Sequence, residues 1–100
     1  MTAHLLRGAQ SDLDEAVAHY ERQEPGLGIK FANEFANTLQ MMVTYPNAGA
    51  PFAGKNRRCR IHGFPYGVLY RVLRGEIVVG AVMHLHRAPG AWLDRLLLDE

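Results

Sequence analysis

The stretch Tyr66-Gly67-Val68-Leu69-Tyr70-Arg71-Val72-Leu73, then Arg74-Gly75-Glu76, then Ile77-Val78-Val79-Gly80-Ala81-Val82-Met83-His84-Leu85-His86, decides the fold. Both outer runs are rich in β-branched and aromatic residues and are of strand length, and the connection between them is short. The pattern predicts an antiparallel hairpin. Working upstream, Arg58, Arg60 and His62 alternate with Cys59 and Ile61, so another strand with one wet and one dry face precedes it, joined through a turn at Gly63 and Pro65. Pro46, Gly49, Pro51 and Gly54 mark a loop before that strand.

On the N-terminal side of this loop the period becomes helical. Phe31, Phe35, Leu39 and Met42 form one stripe of a helix from about Ile29 to Tyr45, and Leu13, Ala16, Val17 and Tyr20 do the same for an earlier one. Ser11 is placed to cap the first helix, with Asp12, Asp14 and Glu15 in its opening turn, where a helix N-terminus favours negative charge. Pro25, Gly26 and Gly28 separate the two, which predicts an antiparallel helical hairpin. Thr2 to Gly8 reads as a short apolar-leaning strand. At the other end Pro89, at a position a first helical turn tolerates, followed by Trp92, Leu93, Leu96 and Leu97, predicts a short amphipathic helix. The expected architecture is α+β: an N-terminal strand, a two-helix hairpin packed on an antiparallel sheet, and a short C-terminal helix.

One hundred residues, 48% of them hydrophobic, suffice for a single domain over 1–100 with one core and are too few for two. The single cysteine, Cys59, excludes an intramolecular disulfide and a thiolate cluster, which fits a reducing cytoplasm. No apolar run is long enough to cross a membrane, and no export signal opens the chain. The formal net charge is +1, yet between Phe35 and Gly75 there is no acid, while Lys55, Arg57, Arg58, Arg60, Arg71 and Arg74 all lie there. Six of the ten acids fall in the first 34 residues. Such segregation predicts a basic face, centred on Arg57, Arg58, Arg60 and Arg71, for an acidic or polyanionic partner.

Several motifs in order resemble a known superfamily. Asp12-Leu13-Asp14-Glu15-Ala16, Pro25-Gly26-Leu27-Gly28 with Phe31 and Glu34, Tyr45-Pro46 with Gly49, Phe64-Pro65-Tyr66 with Tyr70-Arg71, and Ala81-Val82-Met83-His84 through Arg87, Pro89, Trp92 and Arg95 are similar to the RelE/ParE toxins of bacterial type II toxin-antitoxin systems. The ParE-like branch is the closer one, and the match spans nearly the whole chain. The resemblance implies a toxin neutralised by a cognate antitoxin in a hetero-oligomeric complex, with no cofactor. ParE-type members poison DNA gyrase through protein recognition. RelE-type members cleave messenger RNA on the ribosome, which needs groups that stabilise a crowded phosphate while a 2'-hydroxyl attacks it.

Matched residue by residue, the RelE apparatus is incomplete here. Arg58 and Arg60 occupy the places of its two strand lysines, and Arg87 matches the arginine at the end of the last strand. The arginine that follows the tyrosine of the next strand is replaced by Gly67, and the functional tyrosine of the terminal segment has only Trp92 and Leu93 near its place. Tryptophan cannot exchange a proton as tyrosine can. A ParE-like gyrase inhibitor is therefore expected to be no enzyme, with Arg87, Trp92 and Arg95 and the second helix offering the target surface. The RelE-like alternative is a ribonuclease using Arg58, Arg60, Arg87 and His84 or His86, with ribosome and message as partners. A third reading is a binding module that keeps the fold without toxicity.

His84 and His86 lie two apart on an expected strand, so both project from one face, with His62 on a neighbouring strand. Imidazoles beside arginines suit acid-base work on RNA, although an ordinary polar sheet face gives the same pattern. A metal site is not expected, since Cys59 points away from His62 and no third ligand joins the pair. For Phe31, Phe35, Leu39, Met42, Trp92 and Leu96 core packing is the expectation, for Cys59 a buried small hydrophobe. The antitoxin expected from the resemblance is an acidic segment that folds along the helical hairpin and the sheet edge.

Overall fold

The computed structural model describes residues 1–97, so the last three residues of the expected 1–100 domain lie outside it. Its elements run β1 (Thr2–Leu5), α1 (Arg7–Gln23), α2 (Leu27–Thr44), β2 (Ala50–Ala53), β3 (Asn56–Arg60), β4 (Tyr66–Leu73), β5 (Glu76–His84) and α3 (Pro89–Leu93). The sheet order is β1-β5-β4-β3-β2. The strands β2 to β5 are antiparallel neighbours, and β1 adds to β5 in parallel, which makes the sheet mixed. The hairpin that organises it closes at Arg74 and Gly75, both with positive φ (49° and 76°), the two-residue geometry that matches the twist of paired strands.

The helical hairpin covers one face. Phe31, Phe35 and Met42 of α2 are buried there against Val68, Tyr70 and Val79, and Leu39 is half-buried beside them. The opposite face is covered by the terminal segment: Trp92, 1% exposed, packs with Leu69, Ala81 and Met83. A register shift in β5 makes both layers possible, because Leu69 pairs with Ala81 while Tyr70 pairs with Val79. The extra residue, Gly80, puts Val79 and Val82 on the helical face and Ala81 and Met83 on the other.

Four boundaries differ from the sequence reading. Helix α1 starts at Arg7 and not at Ser11, because Leu6 donates its N–H to Val79 O at 2.9 Å and the chain turns straight from the sheet into the helix, with Gln10 N–H on Leu6 O. Ser11 and Asp12 consequently sit inside the helix. The expected loop before β3 contains the edge strand β2, drawn in by the Tyr70 hydroxyl, which accepts from Gly49 N–H at 2.9 Å and donates to Pro46 O at 2.8 Å. Pro51 is tolerated there because an edge strand needs no donor on its outer side. Strand β3 stops at Arg60, so His62 lies exposed in the turn, and β5 stops at His84, so His86 is in the following turn.

The Pro25-Gly26-Leu27-Gly28 motif acquires a physical cause. No side chain caps α2 from its own N-cap position; instead Glu21 of α1 reaches across and accepts from Gly26 N–H and Gly28 N–H, each at 3.1 Å. A Cβ at Gly28 would stand 2.6 Å from Val17 O, so this glycine lets the two helices approach closely.

Candidate functional site

A groove of about 540 Å³ runs between α1 and the end of β5. Glu15, His19 and Arg22 line it from α1, spaced so that they share one side of the helix, Tyr66 and His84 line it from the sheet, and Arg87 lines it from the turn after β5. An aromatic chain leads from the core to Tyr66 and His84 in the groove wall. Tyr20 stacks on Phe31 at 5.3 Å, Tyr66 meets Phe31 edge-on at 5.1 Å, His84 lies 5.5 Å from Tyr66, and His86 lies 5.0 Å from His84. Burial raises the Tyr66 phenol above its ordinary pKa, an effect partly offset by the Arg87 guanidinium. Tyr66 is thus a neutral hydrogen-bond donor at neutral pH, while Arg87 supplies fixed positive charge.

The two histidines meet here for a reason other than strand alternation. With β5 ended at His84, the turn brings His86 back so that its N–H donates to His84 Nδ1 at 3.0 Å, and Arg87 N–H donates to His84 O at 3.0 Å. His62 is not part of this cluster. Among the described residues no group of three or more His, Cys, Asp or Glu side chains could hold a metal ion, and His84 Nδ1 is already engaged. The expectations for His84, His86 and Arg87 converge on one place, whereas Glu15, His19 and Arg22 were missed. Their spacing of four and three was the available signal, hidden because these residues also read as a solvated helix face.

The other expected site residues lie on the far side of the sheet or along its edge. The four arginines of the expected basic face do not form one. Arg57 turns to the helical side and donates to Gly49 O at 2.8 Å. Arg58 is sandwiched on the opposite side, its guanidinium carbon 5.0 Å from the Phe52 ring centre and 4.9 Å from that of Trp92. Arg71 is 5% exposed and donates to Leu97 O at 3.2 Å, leaving Arg60 as the exposed member. Strand alternation spreads the set over both faces, and packing encloses two of the four.

Trp92 and Arg95, expected to present a target surface, are committed within the molecule. Trp92 is buried, and its indole N–H meets no acceptor among the described residues. Arg95 donates through Nη2 to Asp12 Oδ2 at 2.8 Å and to Gly80 O at 3.0 Å, and through Nη1 to Asp12 Oδ1 at 3.4 Å. Asp12 also accepts Val82 N–H at 3.0 Å. The terminal segment is fastened again at Leu97, which exchanges two 2.9 Å hydrogen bonds with the buried Asn56 side chain. At Gly67 a Cβ would lie 2.8 Å from Leu85 Cδ2 and 3.2 Å from Arg58 Cδ, so a larger side chain there requires the Leu85 and Arg58 side chains to move. Cys59 is buried, and burial pushes its thiol above the ordinary value, which makes it a poor nucleophile.

Among the described residues no helix is long and apolar enough to cross a membrane. No curated protein matches the sequence. In shape the chain is similar to a structure described as the chromosomal ParDE toxin-antitoxin system from P. aeruginosa, at a TM-score of 0.76 and 23% identity over 84% of this chain and 95% of that one. That similarity gives the fold: N-terminal strand, helical hairpin, sheet and short terminal helix in the same order. The sequence model of the ParE toxin of the type II toxin-antitoxin system parDE matches residues 4–89, which runs from within β1 to the start of α3. The chain belongs to the ParE toxin family and is the toxin component of a type II toxin-antitoxin system.

Proposed function

We propose that this toxin acts on DNA gyrase by protein contact, as a single domain over 1–100 in the cytoplasm, and that a cognate antitoxin neutralises it in a hetero-oligomeric complex. The observation that carries this reading is the state of three positions that a ribonuclease of this fold would need. Arg58 is held between Phe52 and Trp92, Gly67 offers no side chain where an arginine would act, and Trp92 is buried where a proton-donating tyrosine would stand. A toxin without these groups works by binding.

The surface best suited to a large partner is the outer side of α2. From Phe35 to Gly54 the chain has no charged residue, and Ala36, Asn37, Gln40, Met41 and Tyr45 are exposed along that stretch. Depletion of charge from a solvated face is characteristic of interface cores. Arg87, exposed at the groove mouth, is the terminal-segment residue that remains open for contact, whereas Trp92 and Arg95 act by holding that segment in place.

A ribonuclease reading is favoured by one arrangement only: His84, His86, Tyr66 and Arg87 gather at the groove. The two readings separate on production of the toxin alone in a bacterial host. Gyrase inhibition predicts DNA damage and filaments with translation continuing; message cleavage predicts immediate translation arrest without DNA damage. Growth indistinguishable from the uninduced host would refute both.

A further inference from the structure

The sheet has two borders, β2 and β1, and they are made differently. The β2 border carries Pro51 and a register shift between Pro51 and Ala53, two of the devices by which natural sheets discourage further pairing. The β1 border, Thr2-Ala3-His4-Leu5, has neither: it holds no proline, its register with β5 is unbroken, and no Lys, Arg, Asp or Glu stands in it.

The backbone groups that β1 leaves open follow from its parallel register. Ala3 is paired with Ile77 and Leu5 with Val79, and Leu6 N–H bonds to Val79 O. In a parallel ladder the residues flanking a paired one make its hydrogen bonds, so Thr2, His4 and Leu6 turn their backbone groups to β5. Ala3 and Leu5 turn theirs outward, and their N–H and C=O groups have no partner among the described residues. An antiparallel guest strand bonds both groups of every second edge residue, which is what Ala3 and Leu5 offer.

This border is complementary to itself. When Ala3 faces Leu5 of a second copy, and Leu5 faces that copy's Ala3, every open group on both edges is used. The two other symmetric registers fail: Leu5 against Leu5 sets Ala3 opposite Arg7, already in α1, and Ala3 against Ala3 sets Leu5 opposite the chain end at Met1. We propose that β1 is a homodimer edge, two copies pairing antiparallel about a two-fold axis between their His4 residues to make one continuous sheet. Ala3 and Leu5 keep their side chains on the helical side, packed with the core, and the two His4 side chains lie directly opposite on the other side. Leu6, 41% exposed, comes to face Thr2 of the second copy. A pocket of about 380 Å³ lined by His4, Leu6, Leu73 and Val78 adjoins the edge on each copy, so pairing covers apolar surface as well as backbone groups. Arg74 and Glu76, which also line it, offset one another in charge, so nothing at this border selects an acidic or a basic strand in place of a second copy. The pairing is independent of the enzyme the toxin inhibits, and its failure would leave the gyrase reading untouched.

The test uses the full chain, labelled with ¹⁵N, with no other protein present. Sedimentation equilibrium is expected to show monomer passing to dimer between about 10 μM and 1 mM, the range of a small interface. Over that range the Ala3 and Leu5 amide signals are expected to move, and those of Ala50 and Phe52 on the β2 border to stay. Ala3→Pro removes an N–H that points away from β5 and is expected to weaken the dimer about thirtyfold, two hydrogen bonds' worth. His4→Lys and His4→Glu, each setting like charges opposite one another, are expected to stay monomeric alone and to form a mixed dimer when combined. That pair of variants keeps the test decisive if Ala3→Pro fails to fold. A monomer mass at 1 mM, a dimer indifferent to these substitutions, or one that moves α2 or β2 amides in place of Ala3 and Leu5 would overturn the proposal. So would Ala3 and Leu5 amides that move only when the antitoxin is added, which would give the edge to that partner.

Discussion

Asp12 and Arg95, 83 positions apart, form a two-point ion pair, 2.8 Å at its shorter contact, where β5 has outrun β1. Together they satisfy two backbone groups that the missing length of β1 leaves open, Val82 N–H and Gly80 O. The pair is mostly enclosed, with side chains 18% and 28% exposed. Removing either partner strands the other and a strand-edge group. Asp12→Ala and Arg95→Ala are each expected to cost about 2–4 kcal/mol in urea unfolding. The double variant should cost clearly less than the sum; simple additivity would mean the two act independently.

The Phe52, Arg58 and Trp92 stack ties β2, β3 and α3 together. Arg58→Lys keeps the charge and loses the planar contact, at an expected cost of about 1 kcal/mol. Trp92→Ala opens a cavity and is expected to cost about 3–5 kcal/mol. Trp92→Phe should be far milder, because it also removes a buried N–H without an acceptor, a group that costs about 1–3 kcal/mol. Equal losses for Phe and Ala, measured by thermal or urea unfolding, would remove the orphan donor from the explanation.

Gly28→Ala is expected to destabilise by about 1–3 kcal/mol, since the new Cβ meets the Val17 carbonyl and the helices must part. Gly90 in α3 is the internal control, because a Cβ there meets nothing within 4 Å. Gly90→Ala should be neutral or stabilising by up to about 1 kcal/mol. A Gly28→Ala variant as stable as wild type would contradict the close approach of α1 and α2.

Burial raises the phenols of Tyr20, Tyr66 and Tyr70 above their ordinary values. A raised pKa in the folded state means the fold favours the protonated form. Its contribution is complete below the unfolded value near pH 10 and is lost as pH climbs through the folded values. The urea midpoint should hold steady from neutral pH to about 10 and fall beyond it. Tyr66→Phe should shallow that fall, and an unchanged slope would show that Tyr66 ionises alike in both states. Cys59, raised by burial in the same sense, should react with a thiol reagent at mildly alkaline pH only on unfolding.

The hairpin of β4 and β5, the α2 stripe and the proline-led α3 were legible because local periodicity and turn chemistry agree with the final packing. What was not legible depends on distant partners. Asp12 carries every mark of a helix N-terminus, and only the early end of β1 turns it into the acceptor for Val82 and Arg95. Arg58 and Arg71 look like surface charge in sequence, and it is the terminal segment crossing the second face of the sheet that encloses them. The groove residues His84 and Arg87 could be singled out from the sequence; Glu15, His19 and Arg22 carried only a helical spacing, and they join the others only where α1 lies beside the end of β5.

Inhibition by binding gyrase and not by cutting RNA is the proposed activity of this fold. Purified gyrase, ATP and relaxed plasmid, titrated with the folded toxin, test it most directly. Gyrase binding predicts dose-dependent loss of supercoiling or trapped linear DNA, reversed by the antitoxin and retained in Arg60→Ala, a residue exposed on the sheet and outside the α2 surface. Full supercoiling at every dose, together with message cleavage in a translating extract, would contradict it.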